Sequence, residues 1–98
     1  MRLSKTEFNN ILKVIQDHGI REENLLLSKR KGKIKIQISG SPIYFEFFKR
    51  KSVELTANRQ WQSNEHFEVL AGGQAFIVLT WGEVIQRFNT WLNEISLK

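Results

Sequence analysis

Cysteine is absent from this chain. That excludes a disulfide-stapled scaffold and thiolate zinc sites, and it fits a reducing compartment. Aspartate occurs once, at Asp17, and histidine twice, at His18 and His66. Glutamates are more numerous, but no Asp/Glu pair stands at helical spacing in a promising context for acid–base chemistry or metal ligation. No apolar run approaches the ~20 residues of a membrane helix. Met1-Arg2-Leu3-Ser4-Lys5 has no apolar segment behind its charges to make a secretory signal. The expectation is a cytoplasmic protein without membrane insertion. Nucleophile elbows, phosphate-binding loops and dinucleotide fingerprints are also missing from the sequence.

What is present suits a folded chain. It has 98 residues, 41% hydrophobic and 26% charged, with six glycines and one proline. That composition reads as globular, and the length reads as a single α+β domain over 1–98. A chain of this size buries between ~60% and ~70% of its unfolded surface, enough to fold without metal or disulfide staples. The net charge of +5 favours nucleic acid, acidic proteins or an anionic surface as partners, but scattered lysines on solvated faces explain such a charge equally well.

Helices are expected at both ends. Ser4-Lys5-Thr6-Glu7 and Thr80-Trp81-Gly82-Glu83 have the form of capping boxes. Behind the first, Phe8, Ile11, Leu12 and Ile15 recur at helical spacing, and Gly19 suits a left-handed stop with Ile20 folding back. Behind the second, Val84, Phe88, Trp91, Leu92 and Ile95 make the apolar stripe.

Between them the chain alternates like β-strands. The expected segments are Asn24–Lys29, Lys33–Ile38, Ile43–Phe48, Ser52–Ala57, Phe67–Leu70 and Phe76–Leu79, with a loop over Asn58–Glu65. Lys31-Gly32, Ser39-Gly40-Ser41-Pro42 and Gly72-Gly73 supply turns. The strands lie too close together for helical crossovers. This predicts an α+β fold: an antiparallel sheet of about five to six strands, with an N-terminal and a C-terminal helix packed on one face.

Seven of the fifteen basic residues fall in two bursts, Lys29-Arg30-Lys31-Gly32-Lys33 and Lys49-Arg50-Lys51. Pairing Ile38 with Ile43 across the turn puts Ile34, Ile36, Phe45 and Phe47 on one face. The other face then carries Gln37 beside Tyr44, Lys35 beside Glu46 as an ion pair, Lys33 beside Phe48, and Lys31 beside Arg50. Both bursts lie at the same end of this hairpin. Aromatics among cations hold single-stranded nucleic acid, with bases on the rings and phosphates on the cations. They also form the cores of protein interfaces. The plain alternative is lysine stems lying over a half-buried ring, with basic residues guarding strand ends. Trp61, in the polar stretch Asn58–Asn64, either packs on the sheet, as large rings usually do, or stands out as an anchor.

His18 reads as a C-terminal helix residue, favourable there as a cation. His66 and Glu68 share a strand face, which makes a poor metal site and a poor catalytic dyad. The reading is therefore a non-catalytic binding module, with no metal, cofactor or catalytic residues. It recruits a macromolecular partner through the open sheet face and basic turns, a protein in the first place. The alternative is single-stranded RNA or DNA on the same residues: Arg30, Lys31, Lys33, Lys35, Tyr44, Phe48, Lys49, Arg50, Lys51 and Trp61.

Overall fold

The structure, a computed structural model, describes residues 2–96, Ser96 through its backbone. Helix α1 (Lys5–Asp17) and a 3-10 turn (Glu22–Asn24) lead into five strands. These are β1 (Leu25–Arg30), β2 (Lys33–Ile38), β3 (Tyr44–Leu55), β4 (Trp61–Ala71) and β5 (Gln74–Val78), and helix α2 (Trp81–Ser96) follows. The strands form one antiparallel meander in sequence order.

The helices start and stop as their residues dictate. Ser4 Oγ accepts from the Glu7 N–H at 3.1 Å, while the Glu7 carboxylate accepts from the Ser4 N–H at 3.0 Å. Thr80 Oγ1 accepts from the Glu83 N–H at 3.2 Å, which is the forward half of the second box. At the end of α1, Gly19 takes a φ of 73°. The Ile20 N–H then donates to the Ile15 carbonyl and the Gly19 N–H to that of Gln16, each at 2.9 Å. These two bonds are the Schellman pattern, and Ile20 packs against the core behind it.

Both helices cover one side of the sheet, called here the inner face. Ile11 and Ile15 of α1, and Val84, Phe88, Trp91 and Leu92 of α2, are buried against Ile34, Ile36, Phe45, Phe47, Phe67, Val69 and Val78. Phe45 lies at the centre, its ring 5.2 Å from that of Phe88 and 5.8 Å from that of Trp91. Trp81 closes one end, 5.5 Å from the Phe47 ring, and its Nε1 donates to Asn10 Oδ1 at 3.0 Å, tying α2 to α1. His18 Nε2 and Asn89 Oδ1, 2.7 Å apart, make a second tie between the helices. No helix of the described residues is long and apolar enough to cross a membrane.

The middle strands differ from the sequence expectation. Ile43–Phe48 and Ser52–Ala57 are not two strands, because β3 runs unbroken from Tyr44 to Leu55 through Lys49-Arg50-Lys51. The expected loop over Asn58–Glu65 is mostly strand, since β4 already begins at Trp61. Asn24, expected to open a strand, belongs to the 3-10 turn. The cause of the first two differences is shared. β3 and β4 pair from Phe45↔Ala71 out to Leu55↔Trp61, but β2 reaches only to Phe47 in its register and β5 only to Phe67. Beyond that point the hairpin continues as a two-stranded ribbon, with the chain reversing over Thr56–Gln60. Neither face of the ribbon is buried, and Lys49-Arg50-Lys51 and Gln62-Ser63-Asn64-Glu65 carry no hydrophobic alternation, the signal from which strands are read. The ribbon accords with overall extents of 51 × 26 × 23 Å.

Candidate functional site

The face of the sheet turned away from the helices, the outer face, is the candidate site. The β2–β3 register is Ile34↔Phe47, Lys35↔Glu46, Ile36↔Phe45 and Gln37↔Tyr44, as alternation across the turn predicts. It places Tyr44 and Phe48 on the outer face together with Lys33, Lys35 and Arg50, and the β1 pairing Arg30↔Lys33 adds Arg30. None of the buried core residues points this way. Tyr44 and Phe48 are half-buried, and their covers are their own cations. The Lys35 ammonium sits 4.5 Å from the Tyr44 ring centre. The Phe48 ring is flanked by Lys33 at 5.3 Å and by the Arg50 guanidinium at 5.1 Å. Such contacts are worth ~0.5–1 kcal/mol each at exposed sites.

The expected Lys35–Glu46 ion pair is replaced. Lys33 Nζ is 3.9 Å from Glu46 Oε1, while Lys35 turns to the Tyr44 ring. The diagonal partner wins because Tyr44 offers Lys35 an apolar surface for its stem and a π face for its charge.

Not all the predicted site residues come together. In β3 the side chains alternate, so Lys49 and Lys51 point to the inner side with Phe47, beyond the ends of the helices. There both meet one carboxylate: Lys49 Nζ lies 3.0 Å from Glu65 Oε2 and Lys51 Nζ 3.4 Å from Glu65 Oε1. The hydrogen bond from Lys49, backed by the charges of Lys49 and Lys51, holds the Glu65 carboxyl below its ordinary value. Arg50, on the outer side, pairs with Glu68 through Nε at 3.1 Å. His66 Nε2 lies 3.8 Å from the same Glu68 oxygen. The second burst is thus not a basic turn but mid-strand, neutralised by acids on the neighbouring strand. In the first burst Lys33 meets Glu46, but the other three cations stand apart. Lys29, Arg30 and Lys31 have no carboxylate within ion-pair distance among the described residues, and Lys31, with φ 53°, sits in the β1–β2 turn.

Trp61 is separated from Tyr44 and Phe48. It does not pack on the sheet, contrary to the expectation for a ring of its size. It lies directly opposite Leu55 at the far end of the ribbon and is 73% exposed. Val53 and Leu55, on the same inner side, are 61% and 56% exposed. Neither was singled out from the sequence. The available signal was the alternation Val53-Glu54-Leu55, whose apolar side has no opposing core residue. The outer face also has an apolar rim that the sequence reading missed, Leu26 on β1 and Ile77 on β5, 50% and 71% exposed. They become outward-facing only once Leu26↔Gln37 and Glu68↔Ile77 set the register.

Beside Tyr44 the sheet ends in an open cleft of about 370 Å³ bounded by Pro42, Leu70, Gly73, Trp91 and Ile95. Its walls are mostly apolar and do not bring together an acid, a base and a nucleophile. The outer face brings rings, cations and an apolar rim together on the side of the sheet that the helices leave uncovered. Compared with known protein families, curated proteins and solved structures, the chain matches none.

Proposed function

We propose that this chain is a non-catalytic module that recruits a protein partner through the uncovered outer face of its sheet, with the basic β1–β2 turn at the rim. The observation that supports the reading is the one-sided placement of the helices. It leaves Tyr44 and Phe48 half-buried among lysine and arginine side chains, between the apolar residues Leu26 and Ile77. Half-exposed aromatics with an arginine beside them and apolar residues around them are the usual anchors of a protein interface.

Single-stranded nucleic acid is the second reading, favoured by the uncompensated Lys29-Arg30-Lys31. It ranks below because a stacking base would have to displace Lys35 from Tyr44, and Lys33 or Arg50 from Phe48. Those two cations are also engaged with Glu46 and Glu68. The stacking gain of about 1–3 kcal/mol per base is then largely offset.

The two readings separate in one set of experiments. Affinity capture with the native chain and with a Tyr44→Ala/Phe48→Ala variant is compared by quantitative mass spectrometry. A protein retained by the first and lost by the second is the expected outcome, and identical retention removes the outer face from consideration. Oligonucleotide titration followed by tryptophan fluorescence tests the second reading. Binding that weakens steeply with salt and is reduced by Arg30→Gln/Lys31→Gln would place nucleic acid first.

A further inference from the structure

We propose that the free edge of β3 pairs antiparallel with the same edge of a second copy of the chain, about a dyad at Ser52, making one continuous sheet across two copies. The edge is open because the β2–β3 ladder ends at Ile34↔Phe47 while β3 continues to Leu55 against β4 alone. From Lys49 to Leu55 all side chains but that of Ser52 are exposed. An isolated two-stranded ribbon is marginal in water and gains stability from a third strand. Unpaired edges are also the natural template for strand addition.

The open segment is Lys49-Arg50-Lys51-Ser52-Val53-Glu54-Leu55. A dyad at its midpoint uses the whole segment and keeps outer side chains with outer and inner with inner. The same register sets Arg50 opposite Glu54 of the second copy, twice, so geometry and charge select one alignment. Glu54 is exposed and has no cation within ion-pair distance among the described residues of its own chain. Arg50 holds Glu68 through Nε, which leaves guanidinium donors for a second carboxylate. On the inner side Val53 meets the stem of the second copy's Lys51, and Leu55 that of its Lys49, so two exposed apolar side chains gain cover. The like charges that approach across the dyad, Lys51 from each copy, are each already held by Glu65.

The other open edges lack this complementarity. β1 (Leu25–Arg30) has cations without an acid, and β5 (Gln74–Val78) has no charge. Along the free part of β4, the dyad at Ser63 sets Glu65 against Trp61. This proposal concerns the ribbon and is independent of the role given above to the outer face.

Sedimentation of the full chain tests it, with folding of every variant checked by near-ultraviolet circular dichroism. The native chain is expected to dimerise at or below ~100 µM, with Glu54→Lys weakening the dimer by about tenfold or more through repulsion from Arg50. Arg50→Glu alone has the same effect. An equimolar mixture of the Glu54→Lys and Arg50→Glu chains restores the dimer, because each then meets its opposite charge. Absence of cysteine permits a direct probe: Ser52→Cys should crosslink across the dyad on mild oxidation with diamide, since directly opposed Cα atoms lie about 4.5–5.5 Å apart. Ser63→Cys, on the other strand of the ribbon, should crosslink about tenfold more slowly. A native chain that stays monomeric, a dimer indifferent to Glu54→Lys, a mixture that fails to associate, or equal crosslinking at the two positions each overturns the proposal.

Discussion

Phe48 and Trp61 lie on opposite faces of one sheet. Phe48 points outward, between Lys33 and Arg50. Trp61 pairs with Leu55 on the helix side, past the reach of the helices. The two prominent aromatics of the middle segment therefore belong to separate surfaces, the outer face and the ribbon, and substitutions at them should have separable effects.

The exposed position of Trp61 predicts that Trp61→Ser changes global stability by no more than ~0.5 kcal/mol. Phe88→Ala, which empties a site packed between Phe45 and Trp91, should cost about 3–5 kcal/mol. Urea unfolding followed by far-ultraviolet circular dichroism measures both. A cost for Trp61→Ser comparable to that for Phe88→Ala would mean that the ring is buried in solution.

Trp91 is buried, yet its indole N–H finds no acceptor among the described residues. An unsatisfied buried donor carries a desolvation cost of ~1–3 kcal/mol. Replacing Trp91 with Phe removes that donor while leaving most of the ring contact. Trp91→Phe should therefore cost less than ~2 kcal/mol and Trp91→Ala about 3–5. Denaturant midpoints of the two variants give the comparison.

Gly19 ends α1 at φ 73°, with nothing within 4 Å of where a Cβ would sit. Gly19→Ala therefore meets no clash, and its effect is purely the strain of a left-handed alanine, ~1 kcal/mol. Gly19→Asn, better tolerated in that region, should recover part of the loss. Thermal unfolding of the three proteins orders them Gly, Asn, Ala.

The Glu65 carboxyl, held down chiefly by its hydrogen bond from Lys49, makes the ribbon sensitive to acid. Its folded value lies below that of the unfolded chain, near 4.3. The contribution is thus complete above the unfolded value and is lost as pH falls through the folded one. Carboxyl-carbon NMR should show Glu65 titrating below the ordinary glutamate value, and Lys49→Met should move it back up. The acid limb of stability should be shallower in Glu65→Gln than in the native protein. A normal titration for Glu65 would show that the Lys49 contact does not persist in solution.

Phe48 is half-buried and held between two cations, so Phe48→Leu should cost about 1 kcal/mol. In a double-mutant cycle with Lys33→Met, the coupling between positions 33 and 48 should be about 0.5 kcal/mol. Zero coupling would reduce the arrangement to chance proximity of a lysine.

Much of the fold was legible because its signals are local. The Ser4/Glu7 box, the Gly19 stop, the helical spacing of Phe8, Ile11, Leu12 and Ile15, and the alternation in Lys33–Ile38 each depend on residues near in sequence. The hairpin register followed too, since a slip of one residue would have split Ile34, Ile36, Phe45 and Phe47 between faces. The ribbon was not legible in this way. Gln62-Ser63-Asn64-Glu65 has no apolar face and is a strand because β3 lies beside it. The two basic bursts look alike in sequence and differ in the fold. Glu65 and Glu68, far along the chain, neutralise Lys49-Arg50-Lys51, and no carboxylate among the described residues reaches Lys29-Arg30-Lys31.

By itself, then, the sequence determined the helix limits and the β2–β3 register, because caps, turns and periodicity act over a few residues. Only the tertiary structure decided that Lys49, Lys51 and Trp61 part from Tyr44 and Phe48, and which cations keep their charge. Those outcomes depend on which strands run past their neighbours and on pairings between distant residues, and a linear pattern does not encode them.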